Sequence, residues 1–251
     1  MDKVLTRSIG DIFIVTLNRP TLRNAIDHET SELLVEAFSY FDKSDQYKVG
    51  ILTGTQESFC SGADLKTIAE SSEGAPRLHQ GGSAPLGVSR MRLSKPIIAA
   101  IEGHAVAGGL ELALWCDLRV AAEDAVFGVY CRRFGVPLVD GGTIRLPRLI
   151  GQSHAMDMVL TGRAVKGIEA KNMGLINRMC DPGNALTTAI DLAKQLTAFP
   201  QICMRSDRLS LLEQWSLTEA QALSNETRRG KQVLESGETL NGAQKFIKGG
   251  Y

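Results

Sequence analysis

Along the chain, short unbroken apolar runs alternate with segments whose apolar positions recur every three or four residues, the signatures of buried strands and amphipathic helices. After a short strand-like start, DIFIVTLN (Asp11 to Asn18) is rich in β-branched and aromatic residues and closes at Arg19-Pro20, as a buried strand does. In DHETSELLVEAFSYFDK, the residues Leu33, Leu34, Ala37, Phe38 and Phe41 fall at helical spacing, and Asp27 stands where an N-cap belongs. KVGILTG (Lys48 to Gly54) predicts a second buried strand and KPIIAAIEG (Lys95 to Gly103) a third. HAVAGG then leads into an apolar helix, LELALWC, and DLRVAA predicts a fourth strand. Strand, glycine turn, helix, strand is the order of α/β layering.

From about Ser153 the pattern turns helical: SHAMDMVLTG, GIEAKNMG, a short strand in LINRMC, then GNALTTAIDLAKQLTAF. Beyond Pro200, TEAQALSNETRRGKQVLESG and TLNGAQKFIKGGY carry many charges and a narrow apolar stripe, which suits docking on the core or on another subunit. Between Ser71 and Gly87 the composition shifts to Gly, Ser, Pro and His. That excursion reads as a mobile cover over a site or as plain disorder.

Composition narrows the classes. With 251 residues, 43% of them hydrophobic and 22% charged, the chain can bury one sizeable core. Lys+Arg and Asp+Glu both total 28, so there is no overall basic field of the kind that selects nucleic acid or an anionic membrane. No apolar run is long enough to cross a bilayer, and MDKVLTRSIGD lacks a signal-peptide core. Five scattered cysteines without paired spacing argue against a zinc site and for reduced thiols in a cytoplasmic protein.

The chemistry concentrates in two glycine turns and one carboxylate. SFCSGADL and GHAVAGGLEL each put small residues where a strand gives way to a helix, so that backbone N–H groups without intrahelical partners can approach a ligand. Two such turns can aim two donors at one oxygen and form an oxyanion hole for an enolate or an acyl-transfer intermediate. Glu111, set among Gly108, Gly109, Leu110, Leu112, Ala113, Leu114 and Trp115, loses hydration if buried there, which raises its pKa toward the range useful in acid–base work. A paired structural glutamate is the other reading.

The segments LNRPTLRNAID, FCSGADL, KPIIAAIEGHAVAGGLELALWCDLRVAAEDAVFG and LPRLIGQSHAMDMVLTGRAVKGIEAKNMGLINRM resemble the crotonase superfamily of enoyl-CoA hydratases and isomerases, from about Val4 to the C-terminus. The resemblance implies an α/β fold in which a spiral of ββα units (residues 1–195) carries the site, followed by a helical trimerisation region (196–251). It further implies a homotrimer or dimer of trimers, a coenzyme A thioester as substrate, no permanently bound cofactor, and lyase or isomerase chemistry of fatty acid metabolism. By motif position, Ala63 and Gly108 would supply the oxyanion N–H groups. Leu22, Arg23, Asn24 and Ala25, with Asp64, Leu65 and Lys66, would contact the CoA nucleotide and pantetheine arm, Arg23 and Lys66 as phosphate partners.

Glu111 falls on the first of the two hydratase glutamates, which together hold the water that adds to the double bond. The second belongs twenty positions on, where this chain has Cys131. A thiol is a weak hydrogen-bonding group and cannot hold or protonate water as a carboxylate does, so turnover of straight-chain enoyl-CoA is expected to be low. Three readings follow for VYCRRFGVPLVDGGT. Asp140 supplies the missing acid, or instead pairs with Arg132 or Arg133 and holds the loop. Cys131 is a thioesterase-like nucleophile with its pKa lowered by the arginines, or a buried filler. Finally, Arg132 or Arg133 binds an anion on the acyl group, and if the stretch is extended at most one of them shares the Cys131 face. A CoA-ester binding protein with little catalysis is the alternative to an enzyme.

Overall fold

The computed structural model describes residues 2–70 and 84–249. Strands β1 (Val4–Ile9), β2 (Ile12–Leu17) and β3 (Val49–Gly54) enclose helix α1 (His28–Lys43), and a short helix α2 (Leu65–Glu70) follows. Next come β4 (Ile97–Ile101), β5 (His104–Val106), α3 (Gly108–Trp115), β6 (Leu118–Ala122) and β7 (Val126–Gly128). A 3₁₀ turn at Tyr130–Phe134 leads to α4 (Gly142–Ile150), α5 (Gln152–Thr161), β8 (Val165–Lys166), α6 (Gly167–Asn172) and β9 (Arg178–Cys180). The chain ends in α7 (Ala185–Ala198), α8 (Gln201–Glu213), α9 (Glu219–Glu235) and α10 (Glu238–Ile247).

One sheet runs β1-β2-β3-β4-β6-β9, a second β5-β7-β8. Apart from the β1–β2 hairpin, every pairing in the larger sheet is parallel. Each turn of the chain adds a strand to the large sheet, then a strand to the small one, then a helix, as β4-β5-α3 and β6-β7-α4 do. Bridges from Ser58 to Gly103 and from Cys60 to Ala105 place the β3 turn beside β5 in the same way. This is the expected spiral of ββα units.

Both faces of the central strands β2, β3, β4 and β6 are covered, which is why these strands are rich in apolar residues, whereas the edge strands β1 and β9 are largely exposed. Ile12, Ile14, Ile51, Ile98, Ala100 and Val120 pack against Ala189, Leu192 and Ala193 of α7. Phe13, Val15, Leu52, Ala99 and Ile101 face the opposite cluster, with Phe38 and Phe41 of α1 and the interior of α3. Helix α1 begins as expected, with the Asp27 carboxylate accepting from Thr30 N–H. Arg208 ties α8 to the core through Asp117 at 2.8 Å and the Leu93 carbonyl. Helices α8 to α10 and the turn joining α8 to α9 leave Leu211, Trp215, Leu223, Leu240, Phe246 and Ile247 exposed. Among the described residues no helix is long and apolar enough to cross a membrane.

Two expectations change. The stretch after β7 is not extended: Tyr130–Phe134 forms a 3₁₀ turn, so the alternation of side chains expected of a strand does not apply to Cys131, Arg132 and Arg133. Of the Ser71 to Gly87 excursion, residues 71–83, which include His79, lie outside the described residues. Its last residues, Ala84 to Gly87, are described and mostly buried.

Candidate active site

A cavity of about 370 Å³ opens where the β3, β5 and β7 turns converge. Ala63 and Gly108 line it from two neighbouring strand-to-helix turns. Ile26 N–H donates to the Gly62 carbonyl and Asp64 N–H to the Ile26 carbonyl. This parallel bridge directs the N–H of Ala63, between them, away from the pairing. Gly108 is the first residue of α3, so its N–H has no acceptor within the helix. Ala107 delivers it with φ 53° and ψ −124°, a conformation that L-residues seldom adopt and that surrounding packing must hold. The two turns touch. A Cβ on Gly62 would stand 2.6 Å from Gly108 N, so glycine is required there for the N–H groups to converge. No described residue accepts from either N–H.

Glu111 lies one helical turn further on, 2% exposed, yet lines the same cavity. Its Oε1 accepts from Asp140 N–H at 2.9 Å and from Gly142 N–H at 2.8 Å, while Oε2 has no partner among the described residues. Burial drives its pKa from an ordinary 4.5 to about 7, and the Asp140 charge adds to the rise against the opposing pull of Gly142 N–H and Arg145. Gly142 must be small, since a Cβ there would meet Oε1 at 2.9 Å and Cγ at 3.0 Å.

Asp140, 3% exposed, lines the cavity beside it. Its Oδ1 accepts from Ser89 Oγ and from Leu86 N–H. Burial raises its pKa, and the Ser89 hydroxyl, Leu86 N–H, Arg90 and Arg145 oppose the rise. The expected salt bridge to Arg132 or Arg133 does not form. Arg132 donates to the Val159 carbonyl and Arg133 to the Gly162 carbonyl, with its guanidinium 3.9 Å from the Tyr130 ring centre. Both are exposed and outside the cavity wall, because the 3₁₀ turn swings them toward α5. They are not placed to meet an acyl anion.

Cys131 does reach the cavity, 7% exposed. Burial pushes its thiol up, and the nearby Glu111 charge pushes it further than Arg132 pulls it down. This is opposite to what a nucleophilic thiol needs, and no histidine lines the cavity among the described residues. The filler reading fits.

At the mouth, Leu22, Arg23, Ala25, Leu65 and Lys66 line the wall, and Arg23 and Lys66 are exposed. Asn24 does not. Its fully buried side chain accepts from Arg19 N–H and donates to the Thr55 and Ser58 carbonyls, holding a ribbon in which Arg23 and Asn24 both have positive φ. Asp64 borders the cavity with its carboxylate committed to Arg19 at 2.8 Å. Arg19, which sequence reasoning passed over, also donates to the Ala25 carbonyl and so fixes the ribbon to α2. Leu86, Tyr130, Phe134, Val136 and Val139 complete the apolar wall. They too were missed, being ordinary apolar residues until folding gathers them.

A family model described as enoyl-CoA hydratase/isomerase matches residues 8–249. The chain is 35% identical to enoyl-CoA hydratase EchA19 of Mycobacterium tuberculosis, over 95% of this chain and 91% of that one. It is 36% identical to a carnitinyl-CoA dehydratase of Salmonella arizonae, over 97% and 94%. The crystal structure of enoyl-CoA hydratase EchA1 from Mycobacterium marinum superposes with a TM-score of 0.92 at 34% identity, covering 99% of this chain and 96% of that one.

Proposed function

Since the chain belongs to the enoyl-CoA hydratase/isomerase family, enzymes that act on CoA thioesters, we propose that it adds water reversibly to a 2-enoyl-CoA with Glu111 and Asp140 as the acid pair. One observation carries this reading. Each of the two buried carboxylates has one oxygen saturated by protein donors and the other without a described partner, in one cavity with the free N–H groups of Ala63 and Gly108. Asp140 thus stands in for the carboxylate that Cys131 lacks.

The thioester carbonyl oxygen sits between the Ala63 and Gly108 N–H groups, which stabilise the charge it gains. The water oxygen bonds to the β-carbon while its proton passes to one carboxylate. The double-bond electrons move onto the α-carbon and the thioester oxygen as an enolate, and the other carboxyl group gives its proton to the α-carbon. Two acids this close titrate as a pair. Burial pushes Glu111 to about 7, which suits a group that carries a proton near neutral pH. Arg23 and Lys66 face the CoA phosphates. The exposed apolar side chains of α8 to α10 suit burial against copies of the chain, as a trimer or a dimer of trimers, with residues 196–251 as the oligomerisation region.

The test is hydration of a short trans-2-enoyl-CoA, followed by loss of the conjugated absorbance. Glu111→Gln and Asp140→Asn are each expected to lower kcat by about 10²–10⁴-fold, with binding of the saturated acyl-CoA retained. Full turnover in either variant would overturn the acid pair. Tight acyl-CoA binding with no turnover by the wild type on any enoyl-CoA would mark a binding protein instead.

A further inference from the structure

We propose that Ser89 is the positioning residue of this site: its hydroxyl holds Asp140 ionised with Oδ2 turned to the substrate, making Asp140 the base and Glu111 the acid. The inference rests on the acid-pair reading and goes beyond it by naming the residue that sets which acid is the base.

Ser89 lies in the turn Val88–Arg90, fully buried, and its Oγ donates to Asp140 Oδ1 across 51 positions of sequence. Leu86 N–H donates to the same oxygen at 3.2 Å. With Oδ1 doubly occupied, Oδ2 is the oxygen left for a water. The contact is braced through the main chain as well. Arg145 donates from Nη1 to the Asp140 carbonyl at 2.8 Å and from Nη2 to the Ser89 carbonyl at 2.6 Å, locking the two segments together. Asp140 N–H in turn donates to Glu111 Oε1, so the position Ser89 gives to Asp140 is passed on to the second acid.

The charges around the pair favour the same division. Arg90 on the Ser89 turn and Arg145 on α4 favour an ionised Asp140, while Glu111 on α3 faces it as a like charge and Cys131 adds a neutral thiol to the same wall. Each carboxylate accepts two hydrogen bonds on one oxygen, and the side-chain donor among them, the Ser89 hydroxyl, belongs to Asp140, where its bond strengthens as the carboxylate becomes charged. Burial raises both acids, and the Ser89 hydroxyl is the group that tips ionisation toward Asp140.

The experiment is a set of pH profiles of kcat/KM for hydration of a short trans-2-enoyl-CoA by the wild type, Ser89→Ala, Ser89→Cys, Ser89→Thr and Asp140→Asn. Ser89→Ala removes the donor, and Ser89→Cys keeps the volume but donates weakly. In both, the acid limb is expected to move up by about one to two pH units, the worth of one hydrogen bond to a charged group. The alkaline limb is expected to stay, and kcat at neutral pH to fall with little change in KM. Ser89→Thr, which keeps the hydroxyl, restores the wild-type limb. An unmoved acid limb in the Cys variant, together with abolished turnover in Asp140→Asn, overturns the role given to Ser89 and leaves the acid pair standing. Wild-type turnover in Asp140→Asn overturns the acid pair itself. Should Ser89→Ala fail to fold, the Cys variant decides.

Discussion

Replacing Glu111 with glutamine keeps the oxygen that accepts from Asp140 and Gly142 N–H and removes the buried charge. The native carboxyl has a pKa of about 7 against an ordinary 4.5, so between those values the folded protein holds a proton that the unfolded chain has released. A folded state that binds the extra proton loses stability as pH rises through that window. At 1.36 kcal/mol per unit, ionised Glu111 costs the fold about 3 kcal/mol above pH 7 and nothing below about pH 4. The glutamine variant escapes this cost. It is expected to match the wild type at pH 4.5 and to exceed it by about 3 kcal/mol at pH 8, roughly 6–12 °C in melting midpoint for a chain of this size. Thermal melts of both proteins at matched concentration across pH 4.5 to 8 measure the difference. A stability gap that does not vary with pH, or one that closes as pH rises, would refute a buried, elevated Glu111.

Further outcomes follow from the same geometry. Gly142→Ala puts a methyl group 2.9 Å from Glu111 Oε1, so kcat is expected to fall by about 10-fold or more, and denaturant titrations to show a loss of about 1–3 kcal/mol from overpacking a buried site. Cys131→Ser is expected to keep most of the turnover and to leave no acyl-enzyme detectable by mass spectrometry with either protein; a trapped acyl adduct on wild-type Cys131 would revive the nucleophile. Ala107→Gly relieves a backbone at φ 53° and is expected to raise stability by about 1 kcal/mol in denaturant titrations with activity retained. Sedimentation of a variant carrying Phe246→Glu and Leu240→Glu is expected to show smaller species than the wild type, and an unchanged species would argue against the exposed face of α10 as a subunit contact.

What the sequence revealed was whatever neighbours along the chain decide. The all-apolar IIAAI of β4, the Asp27 cap and the small residues of the two glycine turns are local signals, and each appears in the structure where expected. Glu111 was legible because its own helix is apolar. Asp140 was named as a candidate acid, but that its N–H and that of Gly142 hold Glu111 was not legible, since they reach it from 29 and 31 positions away. Helix α4 (Gly142–Ile150) had no signal, because Pro147 in its interior removes a helical hydrogen bond and reads against a helix. Arg132 and Arg133 drew attention as charges beside the missing glutamate. A 3₁₀ turn, which adjacent apolar and basic residues do not announce, carries them to carbonyls of α5 and the following turn instead. Ser89 had no signal at all, for a lone serine gains meaning only from the carboxylate it meets.

Enolate formation at the α-carbon is the step on which hydration depends, and it can be observed without water addition. Saturated butyryl-CoA in heavy water, followed by proton NMR, reports exchange of the α-proton. Exchange by the wild type, reduced about 10²-fold or more in Glu111→Gln, is the outcome expected of a proton-carrying Glu111 beside the Ala63 and Gly108 donors. Exchange at the wild-type rate in that variant, or none in the wild type despite tight acyl-CoA binding, would contradict it.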